Sequence, residues 1–339
     1  MTTTALTRAI ILRLPIMLRH SSWKYISGSL LCITWAAAVA QGYPTRAIRI
    51  IVTFPPGGGA DIVGRALAPH LAEQLGQQIV IDNRPGASGI IGTELAAKSA
   101  PDGYTLLIGI TGTLAINPSM FPKLPYDSIR DFAPISLAAV GPNILVVHPS
   151  LPVRSVKERI AFCKQHPGKL SYASSGTGGA PHLAGELFKS MAGVNLVHVP
   201  YKGAAPATID VLGGHVPLMF AGMGAALPHI AGGKLRPLGV AGPKRSMQLP
   251  AVPAIAEFLP GFSAETWFGL VAARGTPVSV IARLNAVIHS AANKKEVKTS
   301  LQSGGYEVVL NTPVQFADYI IEETKKWAKI IKEAGITSE

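Results

Sequence analysis

Residues 47–61 read AIRIIVTFPPGGGAD. Ala47–Phe54 is a β-branched, apolar run of strand length. Pro55-Pro56 ends it, and Gly57-Gly58-Gly59 turns the chain. Asp61–Leu75 then carries apolar residues at 62, 63, 66, 67, 71 and 75, a helical period. A buried strand, a glycine turn and an amphipathic helix form the unit from which α/β domains with parallel sheets are built.

The unit recurs outward from this stretch. Gln78–Asp82 and Thr105–Ile110 read as strands, with a helix from Gly89 to Ala100 between them and a turn at Asp102-Gly103. Ala133–His148 follows as a long extended connector despite Pro134, Gly141 and Pro142. A second series opens with a helix over Ser155–Gln165, with Ser155 as N-cap and Pro167-Gly168 as stop. Strands are expected over Leu170–Ser174, Asn195–Tyr201, Val216–Ala221 and Leu235–Ala241. Helices alternate with them over Ala180–Met191, Pro206–Leu212 and Ala225–Ala231, with Gly213-Gly214 and Gly232-Gly233 as C-caps. A second connector, Ser263–Ala273, precedes one long helix from Val278 to Gln302, a strand over Glu307–Leu310 and a last helix from Pro313.

Two α/β series joined by two extended connectors predict two lobes, the second inserted in the first. Lobe 1 is expected over residues 41–140 plus 270–339 and lobe 2 over 141–269, with the connectors as hinge. A cleft between such lobes is a preferred site for small ligands, and hinge closure is an established way for such a pair to work.

The 339 residues are 48% hydrophobic and 15% charged, which excludes a disordered chain. The formal charge of +12 hints at nucleic acid, but four of the cations sit in residues 1–40, which contain no acid. Arg8, Arg13, Arg19 and Lys24 precede an apolar run from Ile26 that closes on Ala38-Val39-Ala40. That is the layout of a secretory signal peptide, with cleavage expected after Ala40 and a periplasmic product. Met17 would open a signal of more ordinary length than Met1. Cys32 lacks the small residues that lipidation expects before it, and an uncleaved anchor is the remaining alternative. After cleavage, 27 basic and 19 acidic residues leave +8, and Cys163 is the one cysteine. The densest basic group, Lys325, Lys326, Lys329 and Lys332, shares a helix with Glu322, Glu323 and Glu333. Phe316, Ile320, Ile321, Trp327 and Ile331 give that helix an apolar face, so it reads as a solvated helix face and not as a nucleic-acid surface.

Three expected strands end in glycine-rich turns that open helices. They are Pro55–Asp61, Ser175–His182 and Lys202–Pro206. Helix N-termini offer free N–H donors and partial positive charge, and glycine lets a ligand approach the backbone. Three such turns predict an anion site that needs no arginine. Lys202 is the one lysine in them. No G-x-x-x-x-G-K-[ST] string exists, and G-x-G-x-x-G fails at Ile62 and at Pro181. No H-E-x-x-H, Cys/His cluster or G-x-S-x-G is present. The expectation is therefore no enzyme, no metal and no cofactor, a nucleotide-dependent enzyme being the weaker alternative.

The chain resembles the Bug receptors, the periplasmic substrate-binding proteins of tripartite tricarboxylate transporters. The resemblance is carried by Tyr43-Pro44, Ile48–Val52, Pro56–Asp61 with Arg65, Asn83–Ala87, Pro101–Thr105, Asn117-Pro118, Ser175–Gly178 with His182–Ala184, His198–Gly203 and Gly213–Val216. It implies a type II periplasmic-binding-protein-like fold, with two mixed sheets flanked by helices and a ligand cleft between the lobes. It implies a receptor for a small carboxylate (dicarboxylate, tricarboxylate, aromatic acid or acidic amino acid) that works as a monomer with permease subunits or a sensor kinase. Carried over by motif, the first-lobe contacts are Gly58, Gly59, Ala60 and Asp61, with Thr111 and Thr113 as further candidates. The second-lobe contacts are Ser175, Thr177, Gly178, Ala204, Ala205 and Asp210. Read by itself, Asp61 in the first turn of a helix offsets the helix dipole and orients the loop or a water. Asp210 suits either a ligand amine or a structural role. Ser175 and Thr177 offer hydroxyl donors or local caps, and His182 suits packing or capping.

Overall fold

The structure, a computed structural model, describes residues 42–336. The signal segment expected over residues 1–40, with Cys32 and Ala40, lies outside them. The first series gives β1 (Ile48–Val52), α1 (Gly59–Leu75), β2 (Ile79–Asn83), α2 (Ile90–Ala97) and β3 (Thr105–Ile110). β1 pairs in parallel with β2 on one side and β3 on the other.

Beyond β3 the chain does something the sequence reading did not anticipate. It makes a π-helical turn over Thr111–Ile116 and a short helix, α3 (Asn117–Met120). The turn is held by Thr113, whose Oγ1 accepts from Ile110 N and donates back to Ile110 O.

β4 (Phe132–Val147) is the long connector, and it belongs to two sheets. Over Phe132–Pro142 it runs antiparallel to β9 (Glu265–Ala273), which carries the sheet on to β3. Over Asn143–Val147 it lies between β7 (Leu218–Gly222) and β8 (Arg236–Val240). β7 continues through β5 (Ser171–Ser174) to β6 (Val197–Pro200), giving the order β2-β1-β3-β9-β4-β7-β5-β6. The result is a curled α/β layer of two mixed sheets sharing one strand, a two-lobed periplasmic-binding-protein-like fold. The alternation of β4 feeds both sides of the second sheet. Ile144 and Val146 pack in one apolar cluster with Val211 and Ala226, while Leu145 and Val147 pack in another with Tyr172 and Phe188.

Helices flank the second sheet as expected: α4 (Val156–Gln165), α5 (Ala180–Ala192), α6 (Ala204–Leu212) and α7 (Met223–Ala231). Ser155 caps α4 by accepting from Glu158 N. The single helix expected from Val278 to Gln302 is instead two, α8 (Val278–Ala292) and α9 (Lys295–Ser303). Asn293 Nδ2 donates to His289 O, and Lys294 turns extended to start the second helix. A side-chain amide that competes for helix carbonyls is a weak point in a helix.

β10 (Glu307–Val308) adds to β4. The chain then ends on α10 (Pro313–Glu333), opened by a capping box between Thr312 and Gln315. Phe316, Ile320, Trp327 and Ile331 of α10 are buried, and buried Glu323 accepts from the indole N–H groups of Trp267 and Trp327. Cys163 is a buried free thiol.

Gly269, mid-strand in β9, leaves room for Phe316. A Cβ there would lie 2.2 Å from the Phe316 ring, which is fully buried. Gly269→Ala is expected to cost about 1–3 kcal/mol by overpacking. The readout is a lower urea midpoint at unchanged m-value; a wild-type midpoint would show that the ring moves aside freely.

Candidate functional site

The three glycine turns open on one cavity of about 780 Å³. Its walls take Phe54–Ala60 from the first sheet and Ser175–Pro181 and Lys202–Pro206 from the second. Each turn contains a glycine at positive φ, namely Gly57 (81°), Gly176 (137°) and Gly203 (116°), a conformation other residues avoid.

Each turn also ends in a helix whose N-cap is glycine. Gly58, Gly179 and Gly203 head α1, α5 and α6 with no side-chain cap. Gly222 does the same for α7, and Gly222 and Met223 reach the same cavity. Among helices away from the cavity, α4 and α10 are closed by Ser155 and Thr312, while α2, α8 and α9 start at Gly89, Pro277 and Lys294 without a side-chain cap. First-turn N–H groups lack intrahelical partners, so four helix N-termini direct free donors and partial positive charge at one space. Lys202 is the one charged side chain on the described walls, which carry no Asp, Glu, Arg or His.

Of the residues singled out from the sequence, Gly58, Gly59, Ala60, Ser175, Thr177, Gly178, Ala204 and Ala205 stand on the cavity wall. Asp61, Thr111, Thr113 and Asp210 do not. They are engaged behind it.

Asp61 is buried and accepts from Gly57 N at 2.9 Å, Arg65 Nε at 2.9 Å and Asn83 Nδ2 at 3.0 Å. Burial by itself would raise its pKa. Arg65, the Gly57 N–H and Asn83 together outweigh burial and hold the carboxyl below its ordinary value. Its work is to fix the first turn. Thr111 Oγ1 accepts from Trp267 N at 2.8 Å, tying the π-helical turn to β9. Thr113 is spent on Ile110. Asp210 accepts from the Tyr201 hydroxyl at 2.5 Å, bracing α6 against the end of β6. The described cavity wall thus carries no carboxylate.

The second turn has an aromatic support. The His182 and His198 rings stack 3.8 Å apart at 14°. His182 Nδ1 accepts from Gly178 N at 3.0 Å, and His198 Nε2 lies 2.7 Å from Ser174 Oγ, which itself accepts from Gly176 N. Burial, with Lys189 for His182 and with His182 for His198, pushes both imidazoles down to about 4.

The connectors add cavity residues that no turn motif in the sequence marks. Gly141, Pro142 and Asn143 of β4, Thr266 and Phe268 of β9, and Tyr306 before β10 all line it. A glycine pair ahead of an aromatic, Gly304-Gly305-Tyr306, was the available signal.

The fold and the glycine-walled cavity define a solute-binding protein of two lobes. A protein of R. palustris solved with adipate has TM-score 0.80 and 38% identity, over 87% of this chain and 100% of that one. MatC from Rhodopseudomonas palustris with bound malate has TM-score 0.75 and 32% identity, over 85% and 100%. BugT of Bordetella pertussis is 41% identical over 302 residues, 88% of this chain and 93% of BugT. The family described as "Tripartite tricarboxylate transporter family receptor" matches residues 63–336. The chain belongs to this family, that of the Bug receptors, which are solute-binding receptors and not enzymes.

The histidine stack makes a pH prediction. A buried imidazole whose pKa is depressed contributes stability that is complete above the unfolded value near 6.5 and is lost as pH falls through about 4. His198→Phe keeps a ring on the stack and removes one titration. The fall in unfolding free energy between pH 6.5 and 4 should become shallower, by up to about 1.4 kcal/mol per pH unit. Glu265, pushed up to about 7 by burial and by Glu307 and Glu323, acts in the opposite sense and is common to both proteins. Urea titrations across that range decide it, and parallel profiles would show that the stack does not titrate with folding.

Proposed function

We propose that the chain is an exported receptor that captures a small carboxylate between its lobes and delivers it to a membrane permease. The observation that carries this is the convergence of four uncapped helix N-termini, from both sheets, on a cavity whose walls carry no acidic side chain. Relatives solved with adipate and malate support the same ligand class.

In this reading the lobes are residues 41–140 plus 270–339 and 141–269, and the segment 1–40 is a signal peptide cleaved near Ala40. Gly59 and Ala60 present N–H groups to one end of the ligand, while Gly58 spends its N–H on Pro55 O and lines the turn. Ser175, Thr177, Ala204 and Ala205 present N–H and hydroxyl donors to the other, while Gly178 spends its N–H on His182 and shapes its turn. Lys202 adds a long-range positive field. Asp61, Thr111, Thr113 and Asp210 shape the turns and touch no ligand.

Both sets of turns meet a ligand at once only when the lobes are closed, so ligand shifts the population toward the closed form. No bond is made or broken. Delivery follows from the closed form presenting a different surface to the permease than the open one.

The test is thermal unfolding of the mature protein, purified after export, against a panel of mono-, di- and tricarboxylates, amino acids and NAD. A ligand that binds only the folded state raises the midpoint by mass action, by about 2.7 kcal/mol of stability at a hundred times its Kd. At least one carboxylate is expected to do so, and a response to NAD alone would sink the receptor reading. For that carboxylate, Thr177→Val is expected to weaken binding by about tenfold through loss of one hydroxyl donor to a charged group.

A further inference from the structure

Taking the receptor reading as given, we propose that its ligand is an amine-free carboxylic acid with a hydrocarbon body, aromatic or aliphatic, and that Tyr306 and Phe268 are the side chains that read that body.

Backbone donors come from the glycine turns. An apolar part of the wall is supplied by Phe54, Ile110, Pro142, Met223, Phe268 and the Tyr306 ring, while Ser88, Asn117, Asn143 and Thr266 are the polar side chains outside the turns. A ligand held by its carboxylates at the turns lays its middle against this wall. Hydrocarbon gains by leaving water there. An ammonium would be desolvated beside no carboxylate, because the described walls hold no acid. Amino acids are thus disfavoured by the same cavity that favours a plain carbon chain or ring.

Tyr306 and Phe268 are placed for this by two glycines. The Tyr306 ring lies on Gly141, where a Cβ would come within 2.5 Å of the ring. Its hydroxyl reaches toward Gly59, where a Cβ would lie 2.6 Å from the oxygen and 2.7 Å from Phe268 Cζ. The two rings meet edge to face, with centroids 5.2 Å apart at 82°. They form an aromatic corner directly beside the first N–H turn, with an edge geometry that also suits a ligand ring. The Tyr306 hydroxyl makes no hydrogen bond to the described residues, whereas those of Tyr126, Tyr172 and Tyr201 do. Burial raises its pKa, so it stays a neutral donor. It therefore supplies a donor at the junction of carboxylate and body.

The test is isothermal titration of the exported, purified protein with benzoate, phthalate and adipate on one side and glutamate and aspartate on the other. At least one carbon-bodied acid is expected to bind about tenfold or more tighter than every acid of the second group. Tyr306→Phe should weaken that acid about three- to tenfold. Tyr306→Ser should weaken it further, with the titration run well below that variant's own ligand-free melting temperature. Tighter binding of glutamate or aspartate would overturn the inference and leave the receptor standing. Binding unchanged in Tyr306→Phe and Tyr306→Ser would overturn the role of Tyr306. Binding of no acid at all would overturn the inference together with the receptor reading on which it rests.

Discussion

The antiparallel pairing of β4 with β9 holds the rest of the structure in place. β4 is shared by both sheets, and the return path joins β9 at Ala264-Glu265. At that crossing Asn143 Nδ2 donates to Ala264 O at 2.8 Å, in a buried bond that ties the two connectors together. The neighbouring residues each answer a local demand. Gly141 leaves space for Tyr306, and Pro142, which has no N–H, stands where the ladder passes from one sheet to the other. Proline is tolerated in a strand where pairing is interrupted. A two-strand crossing fixed at one point lets two α/β units face each other across a cavity without losing their relation.

Glycines head all four helices that face the cavity, whereas Ser155 and Thr312 close α4 and α10 away from it. A glycine in place of a capping side chain gives up only roughly a few tenths of a kcal/mol of helix stability and leaves first-turn donors without a side-chain partner. The turns must then be held from behind. Asp61, the His182–His198 stack and the Tyr201–Asp210 bond do so, one at each turn. Conspicuous polar side chains near a glycine turn therefore serve its shape, while the groups that face the cavity are mostly backbone.

That division explains what the sequence made legible. The glycine turns and both long connectors could be read because local chemistry dictates them. Glycine-proline clusters stop strands, and an apolar run as long as 133–148 leaves little choice but an extended chain. The cavity-facing role of Ser175 and Thr177 followed from their place within a turn. Asp61 and Asp210 were harder, because a carboxylate one turn into a helix looks the same whether it faces a ligand or the protein. The break at Asn293-Lys294 was hidden by apolar residues that keep a helical period across it. Tyr306 was invisible for a different reason. Its place depends on Gly141 and Gly59, which are 165 and 247 residues away in the chain, and no window of sequence contains all three.

Tyr306 also connects the cavity wall to the contact between the two halves. It follows Gly304-Gly305, whose backbone packs so closely on Gly224 of α7 that a Cβ at Gly224 would lie 2.0 Å from Gly304 O. Lys244, just after β8, pairs with Glu307 at 3.4 Å on the other side of the same segment. The turn between α9 and β10 thus touches the second sheet's helices through its glycines and the cavity through its tyrosine. A ligand that presses on the Tyr306 ring must displace this turn, since Gly141 beneath the ring and the Gly224 backbone beside it leave no slack. Contact with the body of the ligand and contact between the halves are therefore made by one short segment, so what the cavity holds bears directly on how the halves meet.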